Sequence, residues 1–166
     1  SFREVDDPAQ AAAELIDAGK IIGWHQGRSE CGARALGARS ILAACNDDSM
    51  KEKVNARIKY REEFRPFAPS IMSDKKDDYF LTNGQDFPYM SFTLDAHEDK
   101  ADSIRAVVHV DNTSRVQTVR SSDNEIYYDM LSKYDAISGV PVCMNTSFNL
   151  KGQPIVDPTL DALMTF

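Results

Sequence analysis

Three polar stretches, each abutting a short apolar run, constrain this chain more than any other feature. They are residues 27–40, with Arg28, Arg34 and Arg39 among glycines; residues 59–67, with Lys59, Arg61 and Arg65; and residues 145–149, Asn-Thr-Ser-Phe-Asn. The apolar runs beside them, Ile21-Ile22-Gly23-Trp24, Ser40 to Cys45, Phe67 to Met72 and Val140 to Met144, have strand length and composition. Helical patterns fall between them. Asp7-Pro8 opens one and Gly19 closes it; Asp47-Asp48 open a second to about Ala56; residues 124–137 form a third with Ile126, Tyr127, Met130, Leu131 and Tyr134 on its stripe. Alternating helices and strands predict a single α/β domain with a mixed sheet. Pro69 predicts an edge or bulged position for its strand. Met90 to Leu94 reads as an alternating strand, and residues 107–110 read as a strand that pairs with residues 115–119 as a hairpin.

Each polar stretch has two readings. Gly32 and Gly37 let the backbone around Arg34 and Arg39 approach a ligand, and successive N–H groups there form a nest for an anion. The spacing is not that of a Walker loop, and a surface loop with arginines in water remains open. Lys59, Arg61 and Arg65 crowd like charges on a strand or a helix, which an anion relieves. Ordinary pairing with Glu62 and Glu63 is the other reading. Asn145, Ser147 and Asn149 share one side of an extended segment, opposite Phe148. They face a ligand or cap their own turn. The combined expectation is a site for a strongly anionic small molecule, such as a nucleoside triphosphate.

Charge supports a small anion over a polyanion. The 166 residues carry a formal net charge of -7, yet residues 28–65 hold nine basic and six acidic side chains. A local basic site in an acidic body argues against a general nucleic-acid binder. No apolar run has the length to span a bilayer. Cys31, Cys45 and Cys143 lack C-x-x-C spacing, which points to reduced thiols in the cytoplasm. His25, His97 and His109 form no metal-ligand pattern. The first residue is Ser, and the pattern after Asp157-Pro158 is a helix that stops mid-stripe. The expectation is one domain, residues 1–166, of a longer protein.

The motifs carry a resemblance. Gly32-Ala33-Arg34-Ala35-Leu36-Gly37-Ala38-Arg39-Ser40 is similar to G-P-R-A-L-G-x-R-S, and residues 59–69 to K-x-R-E-x-F-R-P-F-A-P, of the NodU/CmcH-type carbamoyltransferases. Residues 110–118 resemble that family's H-V-D-x-T-x-R-x-Q segment, and residues 145–149 its N-T-S-F-N. Ala33 departs from the family's proline. The resemblance implies a YrdC-like twisted mixed sheet with flanking helices. It implies that such a domain forms carbamoyl-adenylate from ATP and carbamoyl phosphate. An N-terminal transferase domain with its own bound metal, iron or another, would then pass the carbamoyl group to a hydroxyl. On this resemblance Lys59, Arg61 and Arg65 are the candidate catalytic groups. Arg34, Arg39, Ser40, Lys59, Arg61 and Arg115 are candidate phosphate contacts, and Asn145, Ser147 and Asn149 candidate carbamoyl contacts. Mg²⁺ would accompany the ATP, although no acidic cluster marks its ligands. Two other readings are a nucleotide-binding module without turnover and a YrdC-like threonylcarbamoyl-adenylate synthase.

Overall fold

The computed structural model describes residues 3–60 and 65–165. In chain order the elements are α1 (Pro8–Asp17), β1 (Ile22–His25), β2 (Arg39–Ala43), α2 (Asp48–Val54), β3 (Ala68–Met72), α3 (Lys76–Tyr79), β4 (Leu94–Asp95), α4 (Glu98–Ala101), β5 (Thr113–Ser114), β6 (Gln117–Val119), α5 (Glu125–Ser138), β7 (Val142–Ser147) and α6 (Thr159–Thr165). The fold is mixed α/β, as the sequence predicts. Helix α1 starts where Asp7 accepts the Gln10 N–H at 2.9 Å and Pro8 needs no donor. Helix α5 starts on Asn124, which accepts the Tyr127 N–H at 3.2 Å, and ends at Gly139 in the left-handed region.

The main sheet runs β1-β2-β7-β3-β6, with every pair antiparallel except β3 and β6. Strand alternation divides the core. Leu42, Ala44 and Cys143 pack beneath α1 and α5 with Ile16, Tyr127, Met130, Leu131 and Tyr134. Ala43, Val142, Met144 and Ile71 face the other way, onto Met50, Val54, Phe80 and Ile104. A third, smaller cluster joins Ile41, Phe148, Val156 and Ala162. Burying both sides of the sheet removes apolar area worth roughly 25 cal/mol per Å², which sustains strands this short. No helix among the described residues is long and apolar enough to cross a membrane.

Three expectations about strands change. β3 is internal, between β7 and β6, despite Pro69. Its parallel register with β6 begins only at Ser70, so Pro69 lies outside that ladder. Residues 107–110 are not a strand. Val107 ends a 3₁₀ turn (Asp102–Val107), and Ala106 N donates to Cys45 O at 3.0 Å while Ser114 Oγ donates to Val107 O at 2.7 Å. These tertiary bonds override β propensity. Of the expected 90–94 strand only Leu94 pairs, with Ser114, while Asp95 beside it pairs with Thr113; β6 pairs with β3 in place of a hairpin.

Candidate functional site

The glycine-rich loop builds the anion nest that its sequence suggests, but the chain supplies the anion. Glu30 Oε1 accepts N–H bonds from Leu36 at 2.7 Å and Ala38 at 3.1 Å, and Oε2 accepts from Arg39 at 3.0 Å. A carboxylate satisfying three backbone donors pins the loop from within. Gly37 sits at the tightest point. Its φ is 104°, and a Cβ there would lie 2.2 Å from the Tyr127 ring, so only glycine fits. Its carbonyl accepts from Trp24 Nε1 at 2.8 Å and Gln26 Nε2 at 2.7 Å, and its N–H donates to Ser40 Oγ at 3.1 Å.

The two loop arginines, alike in sequence, part company here. Arg39 is 4% exposed. Its Nε donates to Asp157 O at 2.9 Å, Nη1 to Gln26 O and Ala38 O at 2.8 and 2.9 Å, and Nη2 to Gly27 O and Ser29 Oγ at 3.4 and 3.3 Å. The guanidinium is surrounded by the chain's own acceptors, so the expected phosphate contact from Arg39 is replaced by a structural one. Ser40, fully buried on Gly37, is likewise structural. Arg34 is exposed and lines a cleft.

That cleft, of about 80 Å³, is lined by Arg34, Ala35, Phe67, Met90, Arg115, Asn145 and Ser147, among others. A buried polar network fixes its floor. Gln117 Nε2 donates to Leu36 O at 2.8 Å, which turns its Oε1 to accept from Ser70 Oγ at 2.7 Å and Asn145 Nδ2 at 3.0 Å. Asn145 Nδ2 also reaches Ala35 O at 3.1 Å and Ser70 Oγ at 3.0 Å. Flipping the amide would set its oxygen against two carbonyl oxygens, so the orientation is determined. Two atoms are left over. Asn145 Oδ1, an acceptor, and Arg115 Nε–H, a donor, are buried without a hydrogen-bond partner. Such atoms are costly, about 1–3 kcal/mol each, unless a ligand meets them. Burial first, and then the like charge of Arg34, disfavours the charged form of Arg115.

A second, open basin of about 480 Å³ adjoins the cleft through Ser147 and is lined by Lys59, Tyr60, Arg65, Asn149, Lys151 and Gly152. A π-helical turn (Asn55–Lys59) after α2 brings Lys59 inward. Its Nζ donates to Ser147 O at 2.6 Å, Ser147 Oγ at 3.2 Å, Asn149 O at 3.1 Å and Asn149 Oδ1 at 2.7 Å. Lys59 therefore ties its segment to the one after β7, and Ser147 Oγ donates to Asn149 Oδ1 at 2.7 Å. The three carbamoyl candidates thus divide: Asn145 belongs to the cleft, Asn149 to the basin, and Ser147 to both. Arg65 and Lys151 are exposed at the basin. Arg61 lies outside the described residues. Neither space is lined by a carboxylate among the described residues, so no acidic side chain there offers itself as a ligand for Mg²⁺.

Sequence reasoning passed over Glu30, Ser70, Met90 and Gln117 as site residues. Gln117 alone had a signal, as the last named residue of the H-V-D-x-T-x-R-x-Q pattern.

Comparison with known proteins identifies the family and the fold. The family model described as "Carbamoyltransferase C-terminus" matches residues 13–166. Nodulation protein NolNO of Sinorhizobium fredii is 45% identical over 97% of this chain and 24% of its own length. Nodulation protein NolO of Bradyrhizobium diazoefficiens is 42% identical over 97% of this chain and 30% of its own. The chain thus spans between about a quarter and a third of these relatives. The solved structure of T. kodakarensis HypF shares the fold, with a TM-score of 0.64 at 18% identity over 99% of this chain and 20% of that one. Full-length HypF in a phosphate- and nucleotide-bound form gives 0.60 at 17%, over 99% of this chain and 20% of that one. The chain belongs to the carbamoyltransferase C-terminus family.

Proposed function

We propose that this chain binds ATP and carbamoyl phosphate and forms carbamoyl-adenylate, the first half-reaction of an O-carbamoyl transfer. The observation that carries the reading is an unpartnered pair of buried atoms on two residues that line the cleft, Arg115 Nε–H and Asn145 Oδ1. One is a donor and the other an acceptor. A carbamoyl group, with one carbonyl oxygen and one NH₂, complements both. An ionised carboxylate has no proton to give Asn145. The cleft, at about 80 Å³, is much smaller than the 480 Å³ basin beside it. That favours a carbamoyl unit over the larger threonylcarbamoyl.

Atom balance defines the chemistry. Pyrophosphate and the adenylate account for all three phosphorus atoms of ATP, so the phosphorus of carbamoyl phosphate leaves as inorganic phosphate. Water cleaves carbamoyl phosphate to carbamate and phosphate. A carbamate oxygen then attacks the α-phosphorus, and the bond to the bridging oxygen of pyrophosphate breaks. Arg34 and Arg115 stand at the carbamoyl end, where the phosphate departs. Arg65 and Lys151 line the basin beside Lys59, where cations stabilise charge gathering on pyrophosphate. Lys59 holds Ser147 and Asn149 in place between the two ends. Mg²⁺ bound to ATP would supply further charge neutralisation, held by phosphate oxygens and water. Transfer onward to a hydroxyl requires a second centre, in keeping with relatives several times the length of this chain.

Exchange of radiolabelled pyrophosphate into ATP tests the reading. Exchange that depends on carbamoyl phosphate supports it. Exchange that needs threonine and bicarbonate in its place, or ATP binding by calorimetry without any exchange, overturns it.

A further inference from the structure

Met90 stands apart from its surroundings. Around it Asn83, Gly84, Gln85, Tyr89, Ser91, Phe92 and Thr93 are exposed, yet Met90 is 4% exposed and lines the cleft with Arg34, Arg115 and Asn145. Its φ is 53°, in the left-handed region that a Cβ-bearing residue other than Asn or Asp rarely enters. Glycine would take this conformation without strain. The segment around it is fastened down. Phe87 N donates to Thr118 Oγ1 at 2.8 Å, Thr118 N donates to Phe87 O at 3.0 Å, and the Phe87 and Phe92 rings meet edge to face at 5.8 Å. Asp86 holds Arg120 through Nε at 2.9 Å. A strained residue that the surrounding bonds over-determine, with its side chain buried in a ligand-sized space, has the mark of a functional constraint.

We propose that Met90 is a specificity-determining residue: its side chain sets the cleft volume and restricts the acyl group to an unsubstituted carbamoyl. The proposal rests on the function proposed above. Among the apolar residues lining the cleft, Ala33, Ala35 and Ala68 have only a methyl to give up. Pro66 and Phe67 lead directly into β3, and Phe67 is part of the main core. Among the described residues lining the cleft, Met90 is the one long, unbranched apolar side chain. Its removal opens the space by four non-hydrogen atoms and leaves Arg115 Nε and Asn145 Oδ1 untouched. One extra methyl group in a closed apolar pocket changes kcat/KM by about 10- to 200-fold. N-methylcarbamoyl phosphate keeps one N–H for Asn145 and adds that methyl.

The test compares ATP–pyrophosphate exchange supported by carbamoyl phosphate and by N-methylcarbamoyl phosphate, in the wild type, Met90→Gly and Met90→Ala. The wild type should prefer the unsubstituted compound by at least about 10-fold. Both variants should reduce that preference by about 10-fold or more, with the KM for ATP unchanged. Urea unfolding identifies folded variants, and Met90→Gly should tolerate the change better than Met90→Ala because it relieves the backbone. A folded variant that keeps carbamoyl-dependent exchange and the wild-type preference overturns the proposal. So does a wild type that accepts both compounds equally. A wild type inactive with both removes the functional reading and this inference with it.

Discussion

Glu30→Gln tests the loop's construction through a single atom. Glu30 Oε1 serves two backbone N–H groups and Oε2 serves the third, on Arg39. Glutamine keeps one oxygen and presents an NH₂ where the other stood. With the oxygen left toward Leu36 and Ala38, the Arg39 N–H faces a donor and loses its bond. A buried donor left unmet costs about 1–3 kcal/mol. The two surviving bonds lose their ionic partner, and neutral bonds have roughly half the strength of charge-assisted ones. Together these give about 2–4 kcal/mol of lost stability. Urea titration measures it as a lower midpoint at unchanged slope. Because the loop carries Arg34 into the cleft, the KM for carbamoyl phosphate should also rise, while ATP binding at the basin should hold. Glu30→Asp, with charge kept and reach shortened, should recover part of both losses. A Glu30→Gln protein within about 0.5 kcal/mol of wild type, the range of an ordinary surface change, would refute this account of the loop.

Arg39→Ala and Arg34→Ala should separate stability from binding. The first removes a buried guanidinium with five acceptors and should lower unfolding free energy by about 3 kcal/mol or more; the second should leave stability within about 0.5 kcal/mol and weaken carbamoyl phosphate binding, both read by urea titration and calorimetry. Thiol titration of the folded protein at pH 8 should find one reactive cysteine, the exposed Cys31, because burial pushes the Cys143 thiol up to about 12 and Cys45 well above the usual range. In the unfolded chain both buried thiols ionise near pH 8.5. The unfolded state therefore releases protons that the folded state retains, and stability should fall as pH rises past about 8.5.

Local signals in the sequence translated well into local structure. Asp7-Pro8 and Asn124 fixed helix starts through capping chemistry that depends on nearby residues alone. Strand order was not legible, since β7 enters between β2 and β3 from far along the chain. The run at residues 107–110 did not form a strand: Val107 ends a 3₁₀ turn whose Ala106 is bonded to Cys45, far away in the chain, and Val107 O accepts from Ser114 Oγ. At the site, the residues expected to share one cavity divide between two adjoining spaces, Arg34 and Asn145 at the cleft, Lys59 and Asn149 at the basin and Ser147 at both, and spacing offered no way to tell Arg34 from Arg39. Both are arginines near glycine in one loop, and burial decides between structural and open roles. Glu30 reads as a charged loop residue until three N–H groups are seen to converge on it. Met90 lay hidden in an alternating pattern that its left-handed backbone breaks.

A crystal structure with 5′-O-(N-carbamoylsulfamoyl)adenosine, in which the sulfamoyl unit replaces the phosphoryl group of the adenylate and an intact carbamoyl group follows it, tests carbamoyl recognition most directly. The carbamoyl NH₂ should lie within about 3.2 Å of Asn145 Oδ1 and the carbamoyl oxygen within about 3.2 Å of Arg115 Nε, with the adenosine toward the basin beyond Ser147. A bound compound that leaves both atoms unpartnered, or that seats its carbamoyl group outside the cleft, would contradict the assignment of the cleft to the carbamoyl group.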